Sequence, residues 1–88
     1  VVVIQQTAIN ASDINTILCV PLTTQTRLGE SPGNVLLSTR QTGLPKVSVA
    51  NVSQLVSLDK RFLDTYVATL PSHALEDILD GVDFLLGR

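Results

Sequence analysis

Apolar residues come in short runs separated by polar stretches, and their spacing changes between the two ends of the chain. Val1 to Gln5 (VVVIQ) is a β-branched run of the kind that fills a strand buried on both faces. Gln6 to Asn15 is polar with scattered Ala and Ile, and is expected to be a loop. Thr16 to Leu22 (TILCVPL) is a second apolar run, in which Pro21 marks an edge or a strand end because proline has no ladder donor. Thr23 to Gly33 ends in Ser-Pro-Gly, a turn signal, and is the longest expected flexible loop. Asn34 to Ser38 reads as a third strand, and Thr39 to Lys46, with Gly43 and Pro45, as a connection.

Val47 to Leu58 is more informative. Val47 and Val49 alternate with Ser48 and Ala50, after which Val52, Gln54, Val56 and Leu58 continue on the other parity. Such a phase slip marks a bulge or a barrel corner, here at Asn51 to Ser53. Asp59-Lys60-Arg61 is a charged turn, and Phe62 to Ala68 fits a helical turn or a fifth strand equally. From Leu70 the period becomes helical: Leu75, Ile78, Leu79, Val82, Leu85 and Leu86 form one apolar stripe, with Glu76, Asp77, Asp80 and Asp83 on the other faces. Ser72 is the expected N-cap, Glu76 and Asp77 belong to the early turns, and Gly87-Arg88 suits the C-terminal end. The expected fold class is therefore β-rich α+β, with a small SH3-like β-barrel closed by a C-terminal helix as the leading case.

Composition narrows the field. The 88 residues bound a single domain, 1–88, and 30 of them are Val, Leu or Ile, enough for a core. Cys19 is alone, which excludes a disulfide scaffold. No apolar run is long enough to span a bilayer, and no signal peptide is visible. The net charge of -2 excludes a strongly basic nucleic-acid module. No methionine occurs, and the chain begins inside a strand, so it is expected to be the back part of a domain.

Few residues stand out chemically. His73, the one histidine, reads better as a polar residue in the first turn of a surface helix than as a general base. Cys19 reads as a buried, inert thiol, since nothing near it in sequence lowers its pKa. One His, one Cys and scattered carboxylates have no metal-ligand spacing, so neither metal nor cofactor is expected. Two polar clusters remain. Thr23-Thr24 stands where a strand emerges into the long loop, with Arg27 close behind, and hydroxyls and N–H groups at a strand end can hold a phosphate. Asn51-Val52-Ser53-Gln54 stands at the phase slip, either re-aimed toward a site or on a solvent-facing rim.

Together the segments resemble the MazF/PemK/Kid family of toxin endoribonucleases. The matching pieces are Val1 to Gln5, similar to the family's "RPVVVIQ" strand; TILCVPLT, ending at Thr23; Ser31-Pro32-Gly33-Asn34-Val35; Gly43 to Val49; and Ser53 to Arg61. They cover essentially the whole chain in the family's order. The resemblance implies an SH3-like barrel, a homodimer, a cytoplasmic setting, and metal-independent cleavage of single-stranded RNA at short sequences. The RNA's own 2′-OH would attack, leaving a 2′,3′-cyclic phosphate. It implies that Thr23 stabilises the phosphate, and that a first strand and a loop precede Val1, the loop carrying an arginine that does general acid/base work. It also places Thr24, Arg27, Asn51, Ser53 and Gln54 on the RNA. Some relatives carry an Arg and an Asp where Asn51 and Ser53 look to fall, so reading there would use neutral hydrogen bonds.

The implied partner is a cognate antitoxin whose acidic, disordered tail folds over the RNA groove. Two alternatives share the scaffold: a CcdB-like topoisomerase poison, and a catalytically silent relative that only binds antitoxin. The C-terminal sequence Phe84-Leu85-Leu86-Gly87-Arg88 has no Trp, which lowers the first.

Overall fold

A computed structural model of the chain describes residues 1–4, 13–62 and 70–88. Of the expected elements, Gln6 to Ser12 and Leu63 to Ala68 lie outside the described residues. Among the described residues, six short strands form two antiparallel three-stranded sheets. The first sheet has the order β1 (Val2–Val3), β2 (Thr16–Val20), β6 (Val56–Asp59); the second has the order β3 (Leu22–Thr23), β5 (Ser48–Ala50), β4 (Val35–Leu37). Helices α1 (Thr39–Thr42) and α2 (Ser72–Leu85), with three 3-10 turns, complete the described chain.

The phase slip has a geometric origin. Pro21 ends β2, and the chain resumes as β3 in the other sheet. Asn51 to Leu55 does the same between β5 and β6, and the Asn51 N–H donates to the Pro21 carbonyl at 2.9 Å. Both strands therefore turn the same corner side by side. Cys19 is opposite Val56 and Leu22 is opposite Ala50, so two residues on one strand face five on the other. Three extra residues, an odd number, reverse the side-chain phase. Ala50 faces the core before the corner, whereas Val56 and Leu58 share the opposite face with Cys19 and Ile17 after it.

One core cluster joins the sheets to the helix: Val2, Val20, Leu37, Ala50, Val52, Ala74, Ile78 and Val82. Burying one such aliphatic side chain is worth about 1.5–3 kcal/mol. Val49, also fully buried, points to the other face of the second sheet. There the 3-10 turn Thr26–Glu30 covers it, with Gly29 close enough that an added Cβ would sit 3.6 Å from a Val49 methyl. The stretch expected as a flexible loop is thus a lid on the sheet. With the core on one face of β5 and this turn on the other, Ser48, Val49 and Ala50 are all buried.

Other elements also depart from expectation. Of the Val1 to Gln5 run, Val2–Val3 is a strand that pairs, among the described residues, with β2 alone: Val2 is buried, but Val3 is 38% exposed, and Gln5 lies outside the described residues. The connection after β4 holds α1, set by a capping box in which Ser38 and Gln41 bond each other's backbone N–H, and closed by Gly43 at φ 74°. In α2 the N-cap is Pro71, whose carbonyl accepts from Ala74 and Leu75. Ser72 is the first helical residue, and no acidic residue lies in the first turn. The far end forms a Schellman arrangement, with Gly87 N–H to the Phe84 carbonyl and Arg88 N–H to the Asp83 carbonyl, Gly87 being left-handed.

The buried line of α2 runs through Ala74, Ile78, Gly81 and Val82, while Leu79, Leu85 and Leu86 stay exposed. The helix packs closest where Gly81 meets the Gly33 backbone. That contact turns the small residues, rather than the leucines, toward the sheet.

Candidate functional site

Thr23 closes β3 opposite Val49, so its side chain shares the outer face of the second sheet with Val49 and Leu36. The chain leaves the sheet there by a short hydroxyl-directed turn: the Gln25 N–H donates to Thr23 Oγ1 at 3.2 Å. The Gln25 side chain then accepts from Arg27 Nη2 at 3.3 Å. Thr23, Gln25 and Arg27 thus form one exposed relay running from strand to covering turn. Gln25 had no distinguishing sequence signal beyond its place between Thr24 and Arg27. Thr24 faces a shallow hollow of about 200 Å³ lined also by Leu44, Pro45, Lys46 and Ser48. The cation there, Lys46, carries no distinguishing sequence signal.

A second relay begins one residue further along the turn. The Leu28 carbonyl accepts from Asn34 Nδ2 at 3.0 Å, and the same amide group donates to Asn51 Oδ1 at 3.3 Å. Asn34 Oδ1 accepts the Val52 N–H at 3.0 Å, and Ser53 Oγ donates to Asn51 Oδ1 at 3.0 Å. Asn34 is therefore the clasp between the covering turn and the strand corner. Its sequence signal was the Ser-Pro-Gly-Asn turn, where Gly33 takes φ 86° and delivers Asn34 to the sheet. Asn51 and Ser53, expected together, are together. Gln54 stands exposed on the same 3-10 turn, with its backbone N–H on the Asn51 carbonyl.

Charge is divided across the second sheet. Helix α2, with exposed Glu76, Asp77, Asp80 and Asp83, packs on the core face. The outer face carries Thr23 and the turn bearing Arg27; Glu30, at the end of that turn, is its one carboxylate. Neither Arg27 nor Lys46 pairs with a carboxylate among the described residues. The outer face thus carries one guanidinium, one carboxylate and a set of hydroxyl and amide donors, with the acidic side chains of α2 held across the sheet from it.

The remaining titratable residues lie elsewhere. His73 is exposed at the start of α2, 3.3 Å from Gln41 Nε2, and bridges the two helices rather than facing the relays. Cys19 is fully buried, its Sγ–H directed to the Ile17 carbonyl, and burial pushes its thiol pKa up. Asp59 accepts the Arg61 N–H and pairs with its guanidinium at 3.4 Å, ending β6 in a solvated turn. No group of three His, Cys, Asp or Glu side chains is placed to hold a metal among the described residues.

A sequence profile of PemK-like, MazF-like toxins of type II toxin–antitoxin systems matches residues 1–86. The chain belongs to this toxin family. Among curated relatives, endoribonuclease MazF6 of Mycobacterium tuberculosis and endoribonuclease MazF2 of Mycobacterium bovis are each 37% identical over 82 residues. That stretch is 93% of this chain and 72% of each relative. No described helix is long and apolar enough to cross a membrane.

Proposed function

We propose that this toxin is an endoribonuclease that cleaves single-stranded mRNA on the outer face of the second sheet. One observation carries the reading. Thr23, Arg27 and the Asn51–Ser53 groups gather around that face, while the helical carboxylates lie across the sheet from it. The names of the mycobacterial relatives support the same activity.

The chemistry asks for orientation more than for a strong nucleophile. The substrate supplies its own 2′-OH, which attacks the adjacent phosphorus as the 5′-oxygen leaves, giving a 2′,3′-cyclic phosphate. Charge develops on the non-bridging phosphate oxygens, and donors aimed there lower the barrier. In this reading the Thr23 hydroxyl is such a donor: its oxygen accepts the Gln25 N–H, which leaves its proton free to point at the phosphate. The acid/base partner is the arginine expected upstream of Val1. Arg27, with Thr24 and Lys46 at the neighbouring hollow, holds flanking phosphates, and Asn51, Ser53 and Gln54 meet the bases.

The two bent sheets are read as parts of an SH3-like barrel, 1–88 as one domain of it, and the working toxin as a cytoplasmic homodimer. An antitoxin with an acidic tail would cover the same face, its carboxylates meeting Arg27.

The test is incubation of the complete toxin with RNA in excess chelator, followed by analysis of fragment ends. Cleavage with 2′,3′-cyclic phosphate ends is expected, and a single 2′-deoxy substitution at the cut position should abolish it. Intact RNA alongside trapped DNA–topoisomerase complexes would overturn the reading in favour of the poison alternative.

A further inference from the structure

We propose that Asn51 is held in one amide orientation as a hydrogen-bond donor, and that it selects an RNA base with an acceptor edge over adenine. The inference rests on the RNA-binding reading of this face and adds to it the direction of one contact.

The orientation follows from groups that have only one role. The Val52 backbone N–H can only donate, so the Asn34 atom it meets at 3.0 Å must be Oδ1. The Leu28 carbonyl can only accept, so the Asn34 atom it meets at 3.0 Å must be Nδ2. These two backbone groups fix the Asn34 amide without appeal to any side chain. Since Nδ2 is also the atom turned toward Asn51, the Asn51 atom at 3.3 Å must be the acceptor, Oδ1. The Ser53 hydroxyl, a rotor that suits either role, then donates to that same oxygen at 3.0 Å.

An amide oxygen has two lone pairs. Asn34 and Ser53 occupy both of those on Asn51. The other end, Nδ2, has no partner among the described residues. No buried side-chain nitrogen or oxygen among them lacks a partner, so Nδ2 is reachable from solvent. Asn51 therefore presents N–H groups outward with its acceptor engaged behind.

A free asparagine amide pairs with adenine through both ends, accepting from N6 and donating to N7. The held amide cannot accept, so adenine would offer its amino group to no acceptor there. Guanine, with O6 and N7, and uracil, with O4, offer the acceptors the outward N–H groups need. In a single strand these edges are open to contact. Asn34, which touches no substrate, is the positioning residue.

The experiment uses the complete toxin on a pool of RNAs randomised around the cut, with the fragments sequenced. The wild type is expected to favour guanine or uracil over adenine at one position by roughly fivefold or more. Asn51→Asp, isosteric but unable to donate, should erase or reverse that preference at the one position. Asn34→Ala, which frees the Asn51 oxygen, should raise adenine there toward parity and leave other positions unchanged. An Asn51→Asp profile that superimposes on the wild type, or that falls equally for every sequence, overturns the donor assignment and leaves the endoribonuclease standing. A wild-type toxin that cleaves no RNA overturns both.

Discussion

Gly33 and Gly81 meet backbone to backbone. A Cβ built on Gly81 would overlap the Gly33 carbonyl oxygen and lie 3.0 Å from its carbonyl carbon. The Ser-Pro-Gly turn and helix α2 thus meet with no room for a side chain at Gly81. Gly81→Ala is expected to cost about 1–3 kcal/mol or more, because the atom in the way is main chain and cannot swing aside. Thermal unfolding should show it as a fall of roughly 4–8 °C per kcal/mol for a domain of this size. Gly87 is the control: its φ is 75° but nothing lies within 4 Å, so Gly87→Ala should cost only the left-handed backbone term, about 1 kcal/mol.

Removing the hydroxyl at Thr23 tests the phosphate contact separately from folding. Thr23→Ala should lower kcat/KM for RNA on the order of a hundredfold, the typical loss of one donor to a developing oxyanion. The lost bond to the exposed Gln25 N–H should cost no more than about 1 kcal/mol of stability. Thr23→Ser keeps the hydroxyl and is expected to retain most activity. Equal rates for wild type and Thr23→Ala would remove Thr23 from the site.

Arg27 is exposed, and among the described residues its guanidinium is tethered to Gln25 alone. If it holds a phosphate, Arg27→Ala weakens binding to all RNA sequences alike. It also flattens the dependence of log K on log salt by about 0.7 for a single strand. A titration across salt concentrations with a non-cleavable RNA distinguishes this from loss of a base contact, which would leave the slope unchanged.

Cys19 gives a pH signature. Burial holds its thiol above the ordinary value of 9.0 in the folded chain, so the unfolded chain releases its proton first as pH rises. Its contribution is fully present below about pH 9 and is lost as pH climbs through the folded value. Unfolding midpoints should therefore be level near neutrality and fall above pH 9, with a shallower alkaline fall in Cys19→Ala than in the wild type. The native thiol should also react slowly with a disulfide reagent until the chain is unfolded.

What the sequence disclosed depended on how local the cause was. Helix α2, the break at Pro21 and the phase change near Asn51 all rest on periodicity or on one residue's covalent limits, and all are present. The clustering of Asn51 with Ser53 was legible because they sit two apart on one turn. The covering turn over Val49 was not, because Thr26 to Glu30 is polar and its ordering comes from the sheet beneath it. Helix α1 was missed although Ser38, Gln41 and Gly43 are a complete start-and-stop signal; its short length gave no period to notice. Asn34 could not have been assigned from its neighbours, since its partners Asn51 and Val52 lie 17 and 18 positions away. The exposed leucines of α2 were misplaced for a similar reason: a glycine contact outside the helix decides which side turns inward.

The corner at Pro21 and Asn51 also limits which lengths the chain can have. Every residue after Leu55 depends on an odd surplus to keep Val56 and Leu58 beside Cys19 and Ile17. Deleting or inserting one residue between Ala50 and Val56 would carry Ser57 to that apolar face and drive Val56 and Leu58 to the other. Adding or removing two would leave every side chain on its own side. The segment therefore tolerates editing only in pairs, and a single-residue indel there would be more damaging than a larger even one.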